Sequence, residues 1–163
     1  MGSRDEDLLY NVLEGTAEAV LTKLSIKGIE WVANEIQRRA SQPVKQLELG
    51  GTVGYATSGS KVTITADNII NNRNGGKSGT LMLMLWATDN VYNGGTITGY
   101  VFGSKRLDPL DGGYQYTDIK HKVNYVEPPK GDYYVTLTLN EYEDDETWLI
   151  YDWRNFGGEF SVS

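Results

Sequence analysis

The pattern of apolar residues changes at Pro43, and this change divides the 163-residue chain into two parts. Before Pro43, apolar side chains recur every three or four residues, as on one face of a helix. After it, short runs rich in β-formers are separated by Gly, Asn and Asp, as in strands joined by turns. The sequence therefore predicts a helical segment over residues 1–43 and a β domain over residues 44–163.

The first part is predicted to be one kinked helix or two helices, with the break at Ser25–Gly28. An acidic start at Asp5–Asp7 and a basic end at Arg38–Arg39 both suit the helix dipole. The apolar stripe of an amphipathic helix must be buried, so we expect it to mediate self-association or docking onto a protein partner. The stripe consists of Leu9, Leu13, Val20, Leu24, Ile29, Val32 and Ile36.

The second part is predicted to be mainly β, an antiparallel immunoglobulin-like β-sandwich of about seven strands. The most apolar run, Leu81–Trp86, is typical of a central strand covered on both faces. Tyr133 follows a Pro- and Gly-containing turn and is predicted to tie that loop to the backbone. The predicted strands are Thr52–Tyr55, Lys61–Ala66, Thr80–Ala87, Thr96–Phe102, Gly113–Val126, Asp132–Glu141 and Thr147–Trp153, with a short tail at Gly158–Val162.

Three motifs within about residues 50–163 resemble the bacterial CARDB-like family of immunoglobulin-like modules. They are the strand Val62–Ala66 with the following Asp67–Asn72, the pattern Pro129-x-Gly131-x-Tyr133-x-Val135, and the segment Tyr151–Phe156. The resemblance implies a β-sandwich and a non-catalytic role, and it carries no set of binding residues. A helical segment before a cysteine-free sandwich is also similar to the plan of actinoporin-type toxins, which implies a membrane-active, pore-forming alternative.

Charge and composition narrow the classes of partner. The formal net charge of −7 argues against nucleic acid, since phosphate neutralisation needs clustered Lys and Arg, and it disfavours anionic lipid. The absence of Cys excludes disulfides and Cys-ligated zinc. There is neither a signal-peptide core nor an apolar run of about 20 residues, so we expect a cytoplasmic protein or one exported by a leaderless route.

Few residues suggest catalytic or metal chemistry. The only imidazole, His121, is predicted to share a strand face with Ile119 and Val123, and a lone His cannot supply a triad or a His-based metal site. The acidic run Glu141–Glu146 is predicted to be a solvated hairpin tip. A Ca²⁺ site is the alternative, because Ca²⁺ prefers oxygen ligands. We expect no enzyme activity and no cofactor. The candidate Ca²⁺ ligands are Glu143, Asp144, Asp145 and Glu146.

Aromatic residues are the candidate contact residues of the β domain. Tyr occurs 11 times and Trp 4 times, and exposed rings on a sheet can anchor a protein partner or stack on a glycan. Trp86 and Tyr133 are predicted to be core instead. The chain is therefore predicted to be a non-catalytic binding or assembly module. The surface contact candidates are Tyr92, Tyr114, Tyr116, Tyr151 and Trp153.

Overall fold

The chain folds into antiparallel β-strands, as seen in a computed structural model that describes residues 8–14, 19–25, 45–95, 97–145 and 147–163, the first two ranges by their backbone alone. Among these residues there is no helix, and so none of the length and apolarity needed to cross a bilayer. The strands are β1 Leu8–Glu14, β2 Ala19–Ser25, β3 Leu47–Ser58, β4 Lys61–Asn71, β5 Leu81–Thr88, β6 Ile97–Leu107, β7 Gln115–Asn124, β8 Gly131–Asp144 and β9 Thr147–Val162.

The predicted helical segment, residues 1–43, lies outside the described residues except for β1 and β2. The extended backbone of these two strands gives no support to a helix over their residues, and elsewhere in the segment the helix stays a prediction. The side chains of the predicted stripe also lie outside the description, so its role as a partner surface is not tested. β1 meets β6 at Ile97–Gly99, which leaves the rest of β6 paired with β5 alone.

Beyond residue 44, seven strands form two antiparallel sheets, which confirms the prediction of a mainly β domain. The small sheet has the order β3-β4-β7, and the large sheet contains the consecutive strands β9-β8-β5-β6. A shared apolar core lies between them, because one cluster of buried side chains draws on both sheets. Its fully buried members include Leu47, Leu49, Val62, Ile64, Leu81, Leu83, Leu85 and Leu137.

β5 is buried on both faces, as its unbroken apolar run predicts. Leu81, Leu83 and Leu85 point into the core between the sheets. Met82, Met84 and Trp86 alternate with them, so they face the opposite side of the large sheet and belong to a second cluster there with Trp148 and Ile150.

The predicted tyrosine contact is also confirmed. The Tyr133 hydroxyl donates a hydrogen bond of 2.6 Å to the carbonyl oxygen of Pro129, four residues earlier. This bond fixes the loop that leads from β7 into β8, at the point where the chain passes from the small sheet to the large one.

Candidate functional site

Side chains from β9 tie the two sheets together along one flank of the domain. The Asp152 carboxylate accepts a hydrogen bond of 2.8 Å from the backbone N–H of Leu49 on β3. Arg154, two residues further along β9, donates to the carbonyl oxygens of Leu49 and Gly51. β3 is one of the two edge strands of the small sheet, so these contacts occupy backbone groups that would otherwise be open to pairing with another strand.

On the opposite flank, β6 packs closely against the small sheet at Gly103. A Cβ atom placed at Gly103 would lie 2.7 Å from Cγ1 of Val62 on β4 and 3.6 Å from Cγ2 of Val123 on β7. Real Cβ atoms do not come as near to a carbon as the first distance, so the absence of a side chain is what allows this packing. Two residues later, the same inward position of β6 is occupied by Lys105.

Beyond Gly103 the flank opens into a groove between β6 and β7. The groove has a cavity volume of about 470 Å³ and is lined by Lys105–Asp108 from β6 and the following residue, and by Tyr116–His121 from β7. Tyr116 bounds it at one end, because its hydroxyl donates a hydrogen bond of 2.8 Å to the Asp108 carbonyl oxygen. We refer to this feature as the β6–β7 groove.

Two inward-facing basic side chains meet in the β6–β7 groove. Lys105 and His121 are both half-buried, and His121 follows buried Ile119 on the inner face of β7. Burial and the nearby positive charge of Lys105 lower the pKa of His121 below its usual value of 6.5. His121 is therefore predominantly neutral at pH 7, and an anion bound beside it would favour its protonation. The predicted face shared by Ile119, His121 and Val123 is confirmed, with Lys120 and Lys122 exposed on the other face.

Lys105 and Lys120 have no carboxylate partner within the described part of the chain, where the lysine ion pairs are Lys45–Asp152 and Lys77–Asp111. The groove also contains exposed Asp108 and Asp118, so its charge is mixed. Lys105 nevertheless places a positive group on the inner side of the groove, near the imidazole of His121.

The buried carboxylate of Glu141 lies elsewhere and serves the fold. It accepts hydrogen bonds from both terminal nitrogens of Arg73 and from the N–H of Gly79. Burial alone would raise the pKa of Glu141, but the hydrogen bonds from Arg73 and Gly79 outweigh it and lower the pKa below its usual value. A carboxylate held ionised in this way positions a loop and is poorly suited to proton transfer.

The aromatic candidates do not come together as one surface. Tyr114 is 64% exposed and Tyr116 lines the groove. Tyr151 is half-buried, with the Arg73 guanidinium 5.4 Å from its ring centroid. Tyr92 is buried, with its ring centroid 4.9 Å from that of half-buried Trp153, which corrects the prediction that Tyr92 is a surface contact residue.

The acidic run lies where the hairpin prediction places it. Glu143 and Asp144 are exposed at the end of β8, and Asp145 is exposed in the turn that follows, where it has a positive φ of 47°. Glu146 lies outside the described residues. Within the residues that are described, no three potential ligands are grouped to hold a metal ion. The Ca²⁺ alternative, which includes Glu146, stays a prediction.

The β6–β7 groove was not found from the sequence. Its signal is the occurrence of Lys105-Arg106 and Lys120-His121-Lys122 in two β-rich runs. Nothing local to either run indicates that their inward faces meet.

No protein-family model, no curated protein and no solved structure matches this chain. The resemblances to CARDB-like modules and to actinoporin-type toxins are therefore not tested. The groove has to be interpreted from its own geometry.

Proposed function

We propose that the chain is a non-catalytic binding module and that its β6–β7 groove binds an acidic segment of a protein partner. The observation that carries the proposal is the inward Lys105 beside His121, with exposed Lys120 also among the lining residues, in a chain whose net charge is −7. Unpaired cations in a groove attract an anionic partner and set its orientation.

An extended acidic peptide suits the groove better than a compact anion does. Within the described residues β7 pairs as a strand only with β4, so the backbone of its other edge lies along the groove. A peptide can use such an edge for main-chain hydrogen bonds while its carboxylates meet the lysines. Leu107 and Ile119 add apolar surface to the walls of the groove. An anionic glycan would use the charges but would leave the strand edge unpaired.

An immunoglobulin-like sandwich is the architecture that we propose for this module. If β3 to β9 are lettered A to G, the small sheet contains A, B and E, and the large sheet contains C, F and G. β6 pairs beside C, as an additional C′ strand does in the variable type. Tyr133 at the start of the F strand supports the same assignment, since a tyrosine corner is typical of that position.

A non-catalytic role is supported by the structural hydrogen bonds that the buried carboxylates of Glu141 and Asp152 accept. Glu141 is bound by Arg73 and a backbone amide, and Asp152 is bound by Lys45 and by the amide of Leu49. Both are engaged in holding loops and strands together. Docking through the N-terminal segment and the membrane-active alternative rest on residues outside the description, and no described contact favours them.

The test is fluorescence anisotropy with a labelled oligoglutamate peptide. We expect binding that weakens with salt, and an affinity loss of about tenfold or more for the double variant Lys105→Glu, Lys120→Glu. The matched control, Lys61→Glu with Lys130→Glu, makes the same charge change outside the groove and should leave the affinity nearly unchanged. Equal losses in both variants would contradict the assignment to the groove. If the chain bound a sulfated oligosaccharide but not oligoglutamate, the ligand of the groove would be an anionic glycan and the proposed protein partner would be wrong.

A further inference from the structure

The acidic turn between β8 and β9 lies at the same end of the large sheet as the β6–β7 groove. Leu81, the first residue of β5, pairs with Glu141 of β8 on one side and with Leu107 of β6 on the other. β8 ends at Asp144, three residues after Glu141, and the acidic turn follows it, while Leu107 lines the groove. The acidic turn and the groove therefore lie at the same end of the large sheet.

We propose that the acidic segment bound in the groove is the β8–β9 turn of a second copy of this chain. Two copies facing each other end to end would each insert a turn into the groove of the other. The inference rests on the proposed function of the groove, and it adds the identity of the occupant.

Charge complementarity supports this occupant. Glu143, Asp144 and Asp145 are exposed, and within the described residues they form no ion pair and no side-chain hydrogen bond. Lys105 and Lys120 likewise have no carboxylate partner there. Contact between the carboxylates of the turn and the lysines of the groove would neutralise both groups of charges. At close range this attraction opposes the repulsion between two chains of net charge −7.

The position of the turn and the groove at one end of the large sheet also determines the symmetry of the proposed assembly. When two complementary surfaces lie on opposite ends of a molecule, their contact is head-to-tail and the assembly grows. When they lie at one end, each copy can give and receive the same contact, and the assembly closes as a twofold dimer. We therefore expect a dimer and no larger species.

Sedimentation velocity on the full chain tests the dimer through a charge swap. The groove variant carries Lys105→Glu and Lys120→Glu, and the turn variant carries Glu143→Lys and Asp144→Lys. We expect the unmodified chain to form dimers that dissociate as salt is raised, and each variant alone to be monomeric, because its contacts pair like charges. An equimolar mixture of the two variants should restore the dimer, since every contact is again between opposite charges.

Two further variants show whether a substitution disturbs folding and not the proposed contact. The chain with all four substitutions should dimerise like the unmodified chain, and the control with Lys61→Glu and Lys130→Glu should dimerise as well. A monomeric unmodified chain across the micromolar range would overturn the inference. So would a dimer that persists in the groove variant alone and in the turn variant alone, or a mixture of the two folded variants that stays monomeric.

The failure of this inference can be distinguished from the failure of the proposed function. If the unmodified chain is monomeric but oligoglutamate still binds and requires Lys105 and Lys120, the groove binds a different acidic protein. If oligoglutamate does not bind either, both proposals are wrong.

Discussion

The guanidinium of Arg73 and the carboxylate of Glu141 form a bidentate pair, with distances of 2.9 Å from Nη1 to Oε2 and 2.8 Å from Nη2 to Oε1. Arg73 lies in the loop after β4, and Glu141 lies near the end of β8. The same carboxylate accepts the N–H of Gly79, so it holds both ends of the loop between β4 and β5. The pair therefore connects the small sheet to the large one.

Replacement of Glu141 by Gln should destabilise the protein in a pH-dependent manner. The pKa of Glu141 is lower in the folded chain than the usual 4.5, so its ionised form contributes stability above that pH and loses it as the pH falls through the folded-state pKa. Leaving Arg73 without its partner should cost about 3 kcal/mol at neutral pH. Urea unfolding from pH 7 to pH 3 would measure the difference between the variant and the unmodified chain.

That difference should shrink towards acid, because the unmodified chain then carries a protonated Glu141. Exposed Glu159→Gln is the control and should change the unfolding free energy little at any pH. A difference between Glu141→Gln and the unmodified chain that is constant with pH would contradict this role for the ionised carboxylate.

Asp152→Ala should destabilise the β3 flank and promote association through the uncovered strand edge. The substitution leaves the N–H of Leu49 without its acceptor, which costs about 1–3 kcal/mol when the group is buried. Thermal denaturation would give the loss of stability, and light scattering would report aggregation. The control is Asp111→Ala, which removes an exposed ion pair of 4.0 Å with Lys77 and should cost less than about 0.5 kcal/mol. Similar effects of both substitutions would contradict the covering role of Asp152.

The sequence predicts correctly the strands that have a clear local pattern. Its predictions fail where contacts with residues distant in the sequence determine the structure. β4 and β5 were located because alternation and continuous burial are properties of the strand itself. β9 was predicted as two pieces, Thr147–Trp153 and Gly158–Val162, yet β8 pairs with it across three register shifts and keeps it continuous. Tyr92 was predicted to be exposed because its loop is rich in Gly and Asn, whereas its ring packs against Trp153 from another strand.

The groove could not be predicted for the same reason. Lys105 and His121 lie in separate strands of different sheets, and only the packing of the sheets brings their inward faces together. The acidic run and the lone His121 are both visible in the sequence. Neither of them indicates that the two lie at the same end of the domain.

Gly103→Ala should destabilise the domain by overpacking the flank beside the groove. The added methyl group would lie 2.7 Å from Cγ1 of fully buried Val62, so the strands must separate or the Val62 side chain must leave its rotamer. Inserted methyl groups in a packed core cost about 1–3 kcal/mol. Chemical denaturation measures this cost. Gly157→Ala is the control, because no atom lies within 4 Å of its Cβ position, and it should be neutral or stabilising. A neutral result for Gly103→Ala would show that β6 can shift freely there.

His121 should make acidic-peptide binding stronger as the pH falls. Burial and Lys105 lower the pKa of His121 in the free protein, and a carboxylate bound beside the ring would raise it, so the complex takes up a proton. The charged and titratable groups that line the groove with His121 are Lys105, Arg106, Asp108, Tyr116, Asp118 and Lys120.

The measurement is the affinity for labelled oligoglutamate at about pH 7.5 and about pH 5.5, the range in which histidine titrates. The unmodified chain should bind about threefold or more tightly at the lower pH, and His121→Gln should lose most of that gain while binding similarly at the higher pH. Lys122→Gln is the control, because it removes a permanent charge from the outer face of β7 and should preserve the ratio between the two pH values. An unchanged ratio in His121→Gln would mean that the proton is taken up elsewhere, and that the carboxylates of the peptide do not approach the base of the groove.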